Sequence, residues 1–355
     1  MLHTRMRLNN SKRGCTLANN VLVPNAPEIP GLAFRFYDSE ADLKAVLDVM
    51  NLCYKADRRD ICVLEEMLRN HFRSLQNFDI HRQLLLATMD EEIIGYSQMH
   101  WFAEGNGDLE LLNLTGHLLP EWRRKRIGTA MFRFSETHLR SLVPECAPGI
   151  ERRYQSGAFD CETGQHALLK HEGYTSARYF YQMVRPNLDD IPEFDLPEGI
   201  IVRTPGPDEY MKVGRAIHRA FQDHWGFVDG GDEEIQAYLN NPYCRPELWQ
   251  IAWYGDEVVG TVCNFIPTES NRAYNRKRGF TEDITVQREW RNRGIAKALI
   301  ARSMQRLKEE GIEEVALGVD TENYSGALRL YEGLGYKPVS TETIYRKPVE
   351  VDRKG

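Results

Sequence analysis

No apolar stretch in this chain approaches the ~18–20 residues needed to cross a bilayer, so no membrane partner is expected. Cys-x-x-Cys pairs are missing too. The seven cysteines (Cys15, Cys53, Cys62, Cys146, Cys161, Cys244, Cys263) are odd in number and scattered, which argues for reduced thiols and a cytoplasmic home. No histidine or cysteine spacing matches a metal-ligand pattern, so no metal is expected. Positive charge is not in excess either. With 45 Lys and Arg against 52 Asp and Glu, the formal charge is −7, which speaks against nucleic acid as the main partner. Residues 1–30 lack the apolar run of a signal peptide. They carry Arg5, Arg7, Lys12 and Arg13 against only Glu28, and read as a flexible basic tail.

At 355 residues, with 42% hydrophobic and 27% charged, the chain is long enough for two globular domains of about 150 residues each. An internal repeat supports that division. Trp122 falls on Trp290 (290−122 = 168) and Arg35 on Arg203 (203−35 = 168). Gly95 falls on Gly260 (260−95 = 165) and Tyr174 on Tyr336 (336−174 = 162). Two homologous halves follow: residues 31–186 and residues 199–350. The stretch between them, 187–198, is rich in proline and acid, as a linker should be.

In the second half, Ile200 to Arg203, Leu248 to Tyr254, Val258 to Ile266, Phe280 to Val286, Val315 to Val319 and Val339 to Arg346 read as strands. Asp208 to Phe221 has helical spacing, as does the run carrying Ile295, Leu299, Met304 and Leu307; Ser325 to Leu334 is a further helix. Strands and helices alternate around hairpins, so each half is a mixed α/β layer structure.

Arg291-Asn292-Arg293-Gly294-Ile295-Ala296 joins an apolar strand to a helix. Glycine at a helix N-terminus lets backbone N–H groups approach a phosphate, and the helix dipole favours the anion. Taken alone, such a run is weak evidence, because an ordinary strand-to-helix turn can look the same. Downstream, Asp320-Thr321-Glu322-Asn323 precedes Ala327-Leu328-Arg329-Leu330-Tyr331-Glu332-Gly333-Leu334-Gly335-Tyr336. With both parts in this order, the chain resembles the GNAT superfamily of acetyl-CoA-dependent N-acetyltransferases, strongly over about residues 199–348 and weakly over 31–186. The resemblance implies two tandem GNAT-like domains, each a twisted, mostly antiparallel sheet flanked by helices.

For the second half the resemblance implies that Ile284, Thr285 and Val286 pair with the pantetheine arm of acetyl-CoA. Residues Arg291, Asn292, Arg293, Gly294, Ile295 and Ala296 would hold its pyrophosphate, Asn323 would contact the pantetheine side, and Tyr331 would protonate the departing thiolate. Tyr331 is otherwise a packed helix aromatic. An amine acceptor needs a base, and Glu282 and Asp283 are the acids on the strand before the motif. Strand alternation puts them on opposite faces and does not choose between them.

Asp223, His224 and Trp225 follow the first helix of this half, where the family sets acceptor specificity; they line an acceptor pocket or form a surface cluster. The acceptor would be a small-molecule amine, attacked directly in a ternary complex, since no cysteine stands in the motif to carry an acetyl group. A non-catalytic acyl-CoA sensor is the alternative, and the chain is either a monomer or a homodimer.

The first half departs from the pattern. Its twin run is Arg123-Arg124-Lys125-Arg126-Ile127-Gly128, with arginine in the glycine position. By the offsets above, Tyr331 falls on Leu169, and Glu282 and Asp283 on Leu114 and Thr115. A degenerate domain that binds cofactor poorly or not at all is expected there.

Overall fold

A computed structural model describes residues 20–105, 107–144, 149–228, 230–323 and 326–350. In the first half the order is β1 (Leu32–Phe36), α1 (Glu40–Ala56), α2 (Glu65–Ser74), α3 (Ile80–Gln83), β2 (Leu84–Met89), β3 (Glu92–Glu104), β4 (Leu109–Leu118), α4 (Ile127–Leu142), β5 (Glu151–Phe159), α5 (Thr163–His171) and β6 (Thr175–Arg185). The second half repeats it: β7 (Ile200–Arg203), α6 (Tyr210–Phe221), α7 (Gly231–Leu239), β8 (Gln250–Tyr254), β9 (Glu257–Phe265), α8 (Thr268–Ala273), β10 (Arg278–Val286), α9 (Ile295–Glu309), β11 (Glu314–Asp320), α10 (Ala327–Gly333) and β12 (Lys337–Pro348). The strands expected in the second half each appear, displaced by no more than two residues at either end.

All twelve strands join one sheet in the order β1-β2-β3-β4-β5-β12-β6-β11-β10-β9-β8-β7. Only β4–β5 and β10–β11 are parallel; every other pair is antiparallel. The halves exchange their last strands. β12 lies between β5 and β6, so the end of the second half is flanked on both sides by the first, while β6 pairs with β11. Glu342 stands opposite Phe180, and 342−180 = 162 is the offset of the repeat itself, so equivalent residues face each other across an approximate two-fold axis.

Apolar side chains at helical spacing fix which face each helix buries. In α9, Ile295, Leu299, Met304 and Leu307 are buried beneath β8, β9 and β10 with Val259, Val262 and Leu317. α4 buries Ile127, Ala130, Met131 and Leu139 against the first half in the same way. On the other sheet face, α1 and α2 cover Leu84, Leu86 and Tyr96, and α6 covers Ile251, Trp253 and Cys263.

Residues 20–30, expected to be part of a flexible tail, are packed instead. The Val21 N–H donates to Phe34 O at 2.7 Å and Val23 is buried in the first-half core, because this segment is more apolar than the basic residues before it. Residues 1–19 lie outside the described ones. The 187–198 stretch has no helix or strand but runs along the second core, where Leu188 is buried and Ile191, Phe194 and Leu196 pack. The Arg185 guanidinium holds its start through the carbonyls of Asn187 and Asp190.

Candidate functional site

β10 and β11 pair only from Arg278↔Glu314 to Phe280↔Ala316, then part. Into this opening β10 presents a bulge. Its register with β9 shifts between Glu282 and Thr285, and Asp283 has φ +47°, a costly conformation for a residue with a Cβ. The bulge ends the strict alternation assumed from sequence, so parity beyond Glu282 no longer predicts direction.

Glu282 and Asp283 consequently have different company. The Gly318 N–H of β11 donates to Glu282 Oε1 at 3.2 Å, so that carboxyl bridges the gap between the parted strands. Burial, reinforced by the charge of Asp283, pushes its pKa up to about 8 against the pull of that N–H. Tyr331 of α10 is buried and close enough to Glu282 for its hydroxyl to feel that charge; burial first, and Glu282 second, hold the phenol well above its ordinary value. The Tyr331 ring meets that of Tyr336 edge-on at 6.1 Å, and the Tyr336 hydroxyl is 2.8 Å from Thr281 Oγ1. Asp283 turns instead to the hydroxyl of Tyr238, with His218 and Glu234 nearby, and burial raises its pKa as well.

Past the bulge, Ile284, Thr285 and Val286 run along the part of β10 that has no paired residue on β11, and Thr285 is tied back to β9 through Thr261 Oγ1 at 2.7 Å. The loop that follows reaches α9 through two left-handed residues, Asn292 (φ 60°) and Gly294 (φ 82°). No side chain caps α9, so its first N–H groups are open to an anion. An elongated pyrophosphate-bearing ligand fits this donor set and the strand edge beside it.

Arg291 departs from the expected phosphate contact. Its Nε donates to Val286 O at 3.1 Å and Nη2 to Ala220 O at 3.4 Å, so the side chain latches the loop to β10 and α6. The Arg293 guanidinium lies over the Trp290 ring at 4.8 Å. Asn323 sits just after β11, its N–H bonded to Asp320 O at 3.2 Å. The segment expected either to line an acceptor pocket or to form a surface cluster is divided three ways. Asp223 is ion-paired with Arg288. His224 meets Phe221 edge-on at 4.6 Å, and burial together with Arg291 lowers its pKa. Trp225 reaches the junction of the halves, under the Arg346 guanidinium at 4.3 Å and beside Phe180, where it lines a cavity of about 400 Å³ with Phe102 and Glu104. Sequence reasoning passed over Tyr238, and placed His218 only at the start of the acceptor segment; the bulge brings Asp283 to both, and no local motif marks it.

The first half reproduces the backbone without this chemistry. Arg126 (φ 66°, ψ −2°) occupies the conformation of Gly294 (φ 82°, ψ 1°), and Arg124 (φ 62°) that of Asn292. Arg123 Nε donates to Leu118 O at 2.8 Å, repeating the latch at the same offset (286−118 = 168), and Nη2 pairs with Asp57 at 2.8 Å. The twin of Glu282 is Thr115, not Leu114. Cys263 stands opposite Glu282 and Gln98 opposite Thr115, with 263−98 = 165 as for the glycines of the same strands. The bulge inserts one residue in β10, which the offset of 168 ignored. Leu169, the counterpart of Tyr331, is fully buried.

Among the described residues no helix is long and apolar enough to cross a membrane, and no three His, Cys, Asp or Glu side chains gather as metal ligands would. Residues 215–336, from α6 to the end of the Gly-Tyr motif, match the Acetyltransferase (GNAT) family. The chain therefore contains a GNAT acetyltransferase domain, and acetyl-CoA is the acetyl donor of that class. Across both halves the fold is similar to a GCN5-related N-acetyltransferase from Sphaerobacter thermophilus (24% identity, TM-score 0.66, covering 91% of this chain and 98% of that one). It is also similar to a tandem GNAT protein from the clavulanic acid biosynthesis pathway (14% identity, TM-score 0.65, covering 90% and 100%). More particularly, the relatives are named mycothiol acetyltransferase. That of Thermobispora bispora is 30% identical over 177 residues, 49% of this chain and 59% of its own length. That of Thermomonospora curvata is 28% identical over 269 residues, 74% and 82%, so the likeness extends across both halves.

Proposed function

We propose that the second half transfers the acetyl group of acetyl-CoA to a primary amine by direct attack in a ternary complex. The position of Glu282 carries this reading: the Gly318 N–H holds its carboxyl at the opening between β10 and β11, near enough to the buried Tyr331 for its charge to act on the phenol. Acetyl-CoA would lie with its pyrophosphate on the open N–H groups of α9 and its pantetheine along Ile284, Thr285 and Val286, with Asn323 on the other side. The bound amine arrives as an ammonium and must lose a proton before it attacks. A carboxylate whose pKa is about 8 is basic enough to take that proton and is ionised in a useful fraction near neutrality. The amine nitrogen then bonds to the thioester carbonyl carbon, the carbon–sulfur bond breaks, and the sulfur receives the Tyr331 phenolic proton. A phenol held above its ordinary pKa is fully protonated when the thiolate leaves.

Relatives named for mycothiol acetylation favour a small-molecule acceptor. The test is thiol release from acetyl-CoA with a panel of small amines, for wild type and Tyr331→Phe. Amine-dependent release in wild type that falls about 10²-fold in the variant supports the reading. Binding of acetyl-CoA with no amine-dependent release overturns it and leaves an acyl-CoA sensor.

A further inference from the structure

The strand exchange sets first-half side chains against the loops that border the second-half opening. β6 pairs with β11 from Arg185↔Val315 to Phe180↔Asp320. Past that register the Thr321 N–H still donates to Tyr179 O at 3.0 Å, and Arg178 of β6 turns its guanidinium onto the loop after β11. Its Nε and Nη2 donate to the two carboxylate oxygens of Asp320 at 2.8 and 2.7 Å. Nη1 donates to Glu322 Oε2 at 2.9 Å, and Nη2 also reaches Glu322 O at 3.3 Å.

A guanidinium fork on a carboxylate fixes both distance and orientation, and the side chains of Arg178 and Asp320 are only 16% and 11% exposed, so water screens the pair weakly. The exposed Glu322 adds less. The anchor at Asp320 extends to Asn323, whose N–H donates to Asp320 O at 3.2 Å. α10, which carries Tyr331, follows this loop. The Arg178 guanidinium also lies 5.6 Å from the centre of the Trp225 ring, on which Arg346 stacks at 4.3 Å. Trp225 belongs to the turn after α6, and the first half grips that turn again where the Gly105 N–H donates to Phe227 O at 2.9 Å.

The two-fold partner of this arrangement is different. Asp320 stands opposite Phe180 and Phe159 opposite Glu342, and Phe180 and Glu342 are equivalent, so Phe159 takes the place of Asp320. Ser340 takes the place of Arg178 (340−178 = 162), and its hydroxyl donates one hydrogen bond to Asp160 at 2.8 Å. The forked ion pair thus stands on the side of Glu282 and Tyr331, and a single hydroxyl contact on the other.

We propose that Arg178, a residue of the first half, is a positioning residue for acetyl transfer in the second: it fixes the loop from Asp320 to Asn323 and braces Trp225, holding the acetyl-CoA cleft in its binding shape. This role rests on the placement of acetyl-CoA proposed above, and gives the first half a part in turnover that needs no chemistry of its own. A loop ordered in advance spares the ligand the entropy of ordering it, so affinity carries the effect. Glu282 and Tyr331 remain in place when the brace is lost, so the chemical step is largely spared.

The test is acetyl-CoA binding by calorimetry, with steady-state kinetics beside it, on the full chain. Arg178→Met, which keeps the reach of the side chain without its donors, is expected to weaken acetyl-CoA binding and raise its KM by about tenfold, with kcat within about threefold of wild type. Arg178→Lys, which keeps the charge but not the fork, should fall between the two. Asp320→Asn should weaken binding by about threefold or more, so the result does not depend on one variant folding. Asp60→Asn, which loosens a separate contact between the halves at Arg276 and Arg278, should leave affinity within about twofold. Wild-type affinity in folded Arg178→Met or Asp320→Asn protein, an equal loss in Asp60→Asn, or a loss confined to kcat overturns the role of Arg178 while acetyl transfer stands. A wild-type protein that does not bind acetyl-CoA overturns the transfer reading and the role of Arg178 with it.

Discussion

Arg126 and Gly294 hold the same left-handed conformation at the start of corresponding helices, behind the same arginine latch, yet where the second half has Glu282 and Tyr331 the first has Thr115 and Leu169. The backbone geometry is shared and these side chains are not. A left-handed arginine costs about 1 kcal/mol more than glycine there, and the surrounding loop keeps it in place. What distinguishes the second half is a glutamate where the first has Thr115, together with one inserted residue: Glu282 stands in register opposite Cys263 at the opening, and the bulge after it turns Asp283 to Tyr238, whereas β4 continues in regular register past Thr115. A common frame thus carries different side chains at corresponding strand positions.

Cutting the chain between the halves should break the comparison most severely. β12 has first-half strands on both sides, so neither piece keeps its own sheet intact. Residues 1–186 and 187–355 produced as separate chains are expected to copurify as a one-to-one pair; either alone should aggregate or form a homodimer by exchanging its own last strand. Light scattering distinguishes these, and two stable monomers would contradict the exchange.

The latches come next. Arg291→Ala and Arg123→Ala each remove charge-assisted hydrogen bonds and should lower unfolding free energy by about 1–2 kcal/mol in urea titrations. Only Arg291→Ala should raise KM for acetyl-CoA, with kcat little changed; an equal kinetic effect from Arg123→Ala would place turnover in both halves. The smallest effect is expected from Arg126→Gly, a gain of about 0.5–1 kcal/mol by relief of the left-handed arginine, measured in the same titrations.

Much of this frame is legible in the sequence because it is local. The turn at Gly294, the apolar stripe of α9 and the Tyr331–Tyr336 run each depend on neighbours in the chain, and the second-half strands follow from short β-branched runs. The exchange of β6 and β12 is not local. Both strands read as ordinary last strands, and their destinations are decided by pairing with distant residues, as in Arg346 with Gln155 (346−155 = 191) and Val319 with Tyr181 (319−181 = 138). The bulge escaped for a related reason. Glu282-Asp283 carries no glycine to announce a break in alternation, so the acids were placed by parity, and the first-half twin was assigned one residue early. The cluster of Asp223, His224 and Trp225 was read as one unit because it is contiguous; a turn between α6 and α7 sends the three side chains to different neighbours.

Glu282 gives the comparison its most direct test, through the pH dependence of kcat/KM in wild type and Glu282→Gln. Because the folded-state pKa of Glu282 is raised above that of the unfolded chain, its contribution to stability is complete below about pH 4.3 and is lost as pH rises through about 8, so the Gln variant should gain stability relative to wild type on that alkaline side. Activity has the opposite sense, since the base works only when ionised. Wild-type kcat/KM should rise with pH along a limb centred near 8, and Glu282→Gln should lose that limb and about 10²–10³-fold of the rate while still binding acetyl-CoA. A variant that keeps the limb, or more than about half of the wild-type rate, would contradict the assignment of the working base to the second half.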